Sequence, residues 1–182
     1  MLSARRIVAV LLLGCPLAVH AAEGDLSMPV LVGTPVWTYT YAQNGQPAKT
    51  TTISDRCVLI EAIGLFYAAT DRVRLGLTLQ FSQALTNPPP ASSFTGFSIA
   101  PSLGYNFWGP LTASISPTFV LRRNGVGEFG FIVTGNLYAS VPLGAGVAFV
   151  GGLSVQNFLT PVVYTALIPF AGLSFKLASG LG

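Results

Sequence analysis

Charge is what this 182-residue chain has least of. Only 8% of its residues are Asp, Glu, Lys or Arg, where a soluble domain carries about a quarter. Leu75–Leu121 and Phe129–Phe175, each 47 residues long, hold no charged side chain at all. Long apolar runs are missing too. A membrane helix needs about 18 or more continuous apolar residues, and Gly, Pro, Ser and Asn cut both charge-free stretches well short of that. These two absences argue against a water-wetted globule and against a helical membrane protein.

The N-terminus reads as a targeting segment. Arg5 and Arg6 supply a positive start, Ile7–Leu13 a short apolar core, and Val19-His20-Ala21 small residues at −3 and −1 for cleavage after Ala21 or Ala22. Residues 1–21 are therefore expected to be a signal peptide and residues 22–182 a single domain. Leu12-Leu13-Gly14-Cys15 offers a competing reading as a lipoprotein box with Cys15 lipidated. Removing Arg5 and Arg6 leaves seven basic residues against six acids. No basic patch of the kind that binds nucleic acid remains.

Reactive side chains are equally scarce. The only histidine is His20, inside the expected signal, and the only cysteine beyond it is Cys57. The mature chain then has no Ser-His or Cys-His pair and no histidine metal ligand. Cys57 reads as a small apolar strand residue. Glu23, Asp25, Asp55, Glu61, Asp71 and Glu128 form neither a calcium loop nor a ligand cluster. No cofactor and no metal is expected.

What the chain does have is alternation. Leu75, Leu77, Leu79 and Phe81 fall on one face of an extended strand, with Gly76, Thr78, Gln80 and Ser82 on the other. Eight such segments are predicted: Met28–Ala42, Ile53–Ala68, Arg72–Leu85, Phe94–Phe107, Leu111–Leu121, Glu128–Ala139, Ala145–Phe158 and Val162–Leu177. Turn residues separate them, including Asn44-Gly45, Trp108-Gly109-Pro110, Asn124-Gly125 and Val141-Pro142-Leu143-Gly144. Each is long enough for a tilted strand to cross the hydrocarbon, which takes about 9–11 residues. Lipid cannot satisfy an open sheet edge. The expected fold is therefore all-β, an eight-stranded antiparallel up-and-down transmembrane β-barrel.

The side-chain faces set the orientation. A soluble barrel turns its large apolar face inward, but the other face here is Gly, Ser, Thr and Ala, a poor solvent surface and a suitable lining for a narrow lumen. Tyr67, Tyr105, Phe107, Trp108 and Tyr138 fall near one set of turns, and Trp37, Tyr39, Tyr41, Phe119, Phe129, Phe158 and Tyr164 near the other. They are expected to form two interfacial belts. Pro101, Pro117 and Pro169 lie mid-strand and predict bulges or broken ladders.

On these residues the chain resembles the small eight-stranded outer-membrane barrels of Gram-negative bacteria, the OmpA-, OmpX- and OmpW-type class, over about Met28–Leu177. Gly172-Leu173-Ser174-Phe175-Lys176-Leu177 resembles the C-terminal signal read by the barrel-assembly machinery, with Gly172, Phe175 and Leu177 as its key positions. Phe170 stands where that signal prefers a polar residue, and the chain continues through Gly182. The resemblance implies an outer-membrane location with both termini in the periplasm, and lipid, lipopolysaccharide and the assembly machinery as partners.

Three candidate groups follow. Glu61 interrupts an apolar stretch, and an interior ion pair of Glu61 with Arg72 or Arg74 is expected, with a β-bulge turning the acid inward. Arg122 and Arg123 are expected to meet anionic lipopolysaccharide headgroups. The third group is the assembly signal. The expected function is that of a non-enzymatic outer-membrane protein, structural or adhesive, passing small solutes if its lumen is open. An OmpW-like transporter of small apolar molecules is the alternative. A lipid-modifying enzyme ranks last, because the mature chain offers no histidine base.

Overall fold

The structure, a computed structural model, describes residues 22–42, 47–52, 58–84, 95–123, 130–160 and 163–181. Cys15 and Cys57 lie outside them. Ten strands are present: β1 (Leu26–Gly33), β2 (Trp37–Thr40), β3 (Lys49–Thr52), β4 (Val58–Ala68), β5 (Val73–Ala84), β6 (Thr95–Trp108), β7 (Leu111–Arg123), β8 (Gly130–Gly144), β9 (Val147–Thr160) and β10 (Tyr164–Ala178). Every pairing is antiparallel between neighbours, and β1 also pairs with β10, so the sheet closes on itself. β1 and β2 lie end to end along β10, and β3 pairs with β2 as β4 pairs with β1. Ten segments thus make eight staves of a closed antiparallel barrel. Among the described residues no helix is long and apolar enough to cross a membrane; the strands do the crossing.

The faces sort as the alternation predicts. Leu75, Leu77 and Phe81 are each nearly half exposed, while Thr112, Thr118 and Thr134 are at most 2% exposed. The buried set is rich in Ser, Thr, Asn and Gln and the exposed set in Leu, Phe and Val. That is inverted relative to a soluble protein. An outer face of this kind is stable against hydrocarbon and not against water.

One expected strand is interrupted, and one ladder between two continuous strands is broken. In the first, β1 turns odd-numbered residues inward (Pro29 is buried, Val30 and Val32 exposed), whereas β2 turns Thr38 and Thr40 inward and Trp37 outward. The switch occurs at residues 34–36, opposite Pro169, where partner numbering slips by one. Pro169 has no N–H to give the ladder, and the backbone N–H of Val36 recovers pairing at the carbonyl of Leu167, 2.9 Å away. Pro101 and Pro117 have one shared effect. Ladder pairs run to Ile99↔Phe119 and resume at Leu103↔Ile115 in the same register, which sets the two prolines opposite each other across the gap. Both remain paired on their other sides, Pro101 with Leu77 and Pro117 with Val133.

One expected turn moves. β8 continues through Val141, Pro142 and Leu143, and the reversal is at Ala145-Gly146. Both turn residues have positive φ, 50° and 76°, the signature of a tight type I′ hairpin. The sequence cue at Pro142 misleads because Pro is tolerated where a strand nears its end.

The first and last described residues lie at one end of the barrel. The Leu181 N–H donates to the carbonyl of Gly24, the Gly24 N–H to that of Ala68, and the Tyr67 hydroxyl to that of Leu181. Lys176 Nζ sits 2.9 Å from Asp25 Oδ2. This clasp ties the first, second and last staves together where the sheet closes.

Ala145 is a non-glycine residue in left-handed backbone, at a cost of about 1–2 kcal/mol. Replacing it with Asn creates Asn-Gly, the favoured pair for this turn. Ala145→Asn is expected to stabilise the folded barrel by about 1 kcal/mol. A urea titration in detergent, followed by the heat-modifiable gel shift, checks this through a higher midpoint.

Candidate functional site: the lumen

The inward residues enclose a hollow interior in two chambers. The one in the half away from the termini has a volume of about 410 Å³ and is lined by residues including Thr38, Thr51, Ser82, Ser98, Phe158 and Tyr164. The one in the terminal half has about 110 Å³ and is lined by Ser102, Ser114, Ser116, Asn136 and Ser154, among others. Ile60, Gln80, Gln156 and Ile168 border both and mark the waist between them.

Large side chains narrow the terminal half, and each faces a glycine across the ladder. Phe66 lies opposite Gly76, Arg74 opposite Gly104, and both Tyr138 and Phe170 lie opposite Gly152. A Cβ on Gly76 would meet the Phe66 ring at 2.5 Å, and one on Gly152 would collide with the Leu137 carbonyl and Tyr138. The Tyr138 and Phe170 ring centroids are 6.4 Å apart, and the Tyr138 hydroxyl interacts with Arg74 and Thr112. These glycines therefore serve the packing of the lumen. The larger chamber carries its own aromatic pair, Phe158 and Tyr164, stacked with centroids 3.8 Å apart.

That placement corrects the expected belts. Tyr138, Phe158 and Tyr164 point into the lumen, because even positions face inward throughout β8, β9 and β10. Tyr105, Phe107, Trp108, Trp37 and Tyr41 are on the outer face as expected. On β2, Trp37 stacks on Tyr39 at 6.2 Å and Tyr39 meets Tyr41 edge-on at 5.0 Å. Phe129 lies outside the described residues.

The expected interior ion pair is also corrected. β4 pairs with β5 without interruption from Val58 to Ala68, so no bulge turns Glu61 inward. Its cross-strand neighbours are the outward Phe81 and Val32, and its Oε1 accepts from the Gln83 amide at 3.4 Å. Arg74 is in the lumen, and Arg72 sits in the turn before β5, donating to the Tyr105 hydroxyl at 3.3 Å. The three residues are not brought together. Arg122 and Arg123 are the last two residues of β7, with backbones paired to Phe97 and Gly96; their side chains lie outside the description. Gly172 packs against β1, where a Cβ would strike the Val30 carbonyl, and Phe175 pairs with Met28 and Val147. Leu177 is half exposed.

No family model matches the chain, and no curated protein matches it in sequence. Solved structures do. Neisserial surface protein A is similar with a TM-score of 0.57 at 13% identity, over 85% of this chain and all of that one. The outer membrane protein OprG from Pseudomonas aeruginosa is similar at 0.55 and 8%, over 87% of this chain and 98% of that one. The outer membrane protein AlkL, determined in lipid bilayers, is similar at 0.52 and 12%, over 89% and 95%. The fold is that of the small outer-membrane β-barrels. At such identities the likeness extends to architecture and not to any residue of the lumen.

Gly152→Val forces a branched side chain into the space under Tyr138 and Phe170. It is expected to destabilise the barrel by about 1–3 kcal/mol, the usual cost of overpacking. The same substitution at Gly135, where an added Cβ meets nothing within 4 Å, serves as the control. Urea midpoints of the two variants in detergent give the comparison.

Proposed function

We propose that this protein is a non-enzymatic barrel of the Gram-negative outer membrane that admits small solutes into its lumen from the cell exterior. The hollow interior is the observation that supports this reading best. A purely structural eight-stranded barrel fills its lumen with side chains, yet here a chamber of about 410 Å³ lies in the half away from the termini, within the size range of small-molecule sites, about 300–1,000 Å³. Its lining mixes Thr, Ser and Gln with Ile, Val and three aromatic residues. That suits small polar or amphipathic solutes better than the wholly apolar cargo of the alternative reading. In the smaller chamber, Ser102 Oγ and Ser154 Oγ are buried without a hydrogen-bond partner in the protein. Buried hydroxyls of this kind are normally satisfied by water, which fits a wet lumen.

In this reading both termini are periplasmic, as is usual when short turns and chain ends share one side of such barrels. The larger chamber then faces outward. Arg122 and Arg123, at the outer end of β7, are proposed to meet lipopolysaccharide phosphates, and Gly172, Phe175 and Leu177 to present the last strand to the barrel-assembly machinery. An interfacial aromatic band next to cationic strand ends is the arrangement expected of a barrel seated in such a leaflet.

The waist is the place to test passage. Gln80→Trp puts an indole between the two chambers. Liposomes containing the parent protein are expected to swell in small sugars and amino acids, and those containing Gln80→Trp to lose most of that permeability while keeping the heat-modifiable shift. Parent liposomes as tight as empty ones would leave the structural reading in place.

A further inference from the structure

We propose that the lumen selects for anions, with Lys49 and Arg74 setting the preference. This rests on the passage reading above and specifies its substrate class. Lys49 is the one charged residue lining the larger described chamber, and Arg74 the one lining the smaller. Both are cations, placed in series along the axis. The acids of the described residues are elsewhere. Glu61 is on the outer face beside Phe81, Glu23 and Asp71 are in the terminal segment and a turn, and Asp25 is paired with Lys176. Arg74 has no carboxylate within ion-pair distance among the described residues. Its neighbours are the Tyr138 hydroxyl and the open side of Gly104, so its charge is not cancelled locally.

A fixed positive charge in a narrow, low-dielectric passage attracts counter-ions and repels co-ions. Lys or Arg in such a lining is the usual device of anion pores. Phe66 and Tyr138 line the same chamber as Arg74, whose volume is about 110 Å³, so the preferred solutes are small anions such as chloride, acetate or phosphate.

Planar-bilayer recordings across a potassium chloride gradient test this directly. The parent protein is expected to give a reversal potential of chloride-selective sign. Arg74→Gln should move the permeability ratio toward one, Lys49→Gln should move it less because Lys49 is exposed, and Arg74→Lys should preserve it. Each variant is first checked for the heat-modifiable shift; Lys49→Gln lies at an exposed strand end and reports even where an Arg74 variant fails to fold. Cation selectivity in the parent, or a ratio unmoved in both glutamine variants, overturns the inference while leaving passage intact. No conductance in the parent overturns the passage reading and this inference with it.

A different observation carries a second inference. The structure assigns Asp25 as the receptor for the processed N-terminus, with cleavage between Ala21 and Ala22. The Asp25 side chain is 6% exposed, and its Oδ2 lies 2.9 Å from both Lys176 Nζ and the Ala22 nitrogen. Its Oδ1 is buried with no partner. Cleavage after Ala21 turns the Ala22 amide into an ammonium with three donors and a full charge, which satisfies the spare oxygen and gives the carboxylate a second cation. Cleavage after Ala22 would remove that nitrogen.

Mass spectrometry of the exported protein is expected to give Ala22 as the first residue. Acetylating the α-amine of refolded protein should lower its urea midpoint, and the same acetylation should have no effect in Asp25→Asn; Lys176→Met, which keeps Asp25, should retain the effect. A start at Glu23 or at a lipidated Cys15 overturns the assignment, as does an equal acetylation effect with and without the Asp25 carboxylate.

Discussion

Hydrocarbon offers no hydrogen bonds, so every backbone N–H and C=O crossing it must find a partner within the protein. For a chain built of strands the only complete solution is a closed ladder, and the rest of this structure depends on that closure. The β1–β10 pairing supplies it, with registered partners from Leu26↔Ala178 to Gly33↔Phe170. The seam is reinforced at the end where both termini meet, by the Asp25–Lys176 ion pair and by backbone bonds among Gly24, Ala68 and Leu181. Gly172 lets β10 approach β1 closely, since a side chain there would strike the Val30 carbonyl.

Closure sits uneasily with three mid-strand prolines, and the structure confines the damage. Pro101 and Pro117 are placed opposite one another, so two missing donors share a single gap in one ladder. Pro169 falls where β1 gives way to β2, so its missing donor coincides with a break that is present anyway. Concentrating these defects keeps the remaining ladders in register, which matters because a slip of one residue would turn each apolar face inward.

A closed eight-stranded ladder also limits what the interior can hold. Bulky inward residues are accepted in the terminal half only because glycines face them, as with Phe66 and Gly76 or Tyr138 and Gly152. In the other half the lining mixes Thr, Ser and Gln with aliphatic residues and the stacked Phe158–Tyr164 pair, and a larger chamber remains. The distribution of large and small side chains along the axis, and not the fold, therefore makes this barrel hollow at one end and narrow at the other. Function in such barrels is carried by the lining.

The barrel class was legible in the sequence because period-two alternation and missing charge are local properties. Leu75 to Phe81 on one face and Gly76 to Ser82 on the other state the strand, its orientation and its solvent without reference to any neighbour. What depended on register was not legible. Glu61 needed knowledge of whether β4 bulges, and its uninterrupted pairing with β5 puts the acid outside, away from Arg74. Tyr138, Phe158 and Tyr164 lie near strand ends and look like belt residues, yet parity turns them into the lumen. The two chambers, the opposed prolines and the glycines facing aromatics are relations between strands distant in sequence. Alternation fixes which side chains share a face; only the closed tertiary pairing decides which of them meet, because cross-strand neighbours are set by register and by the twist that closes the sheet.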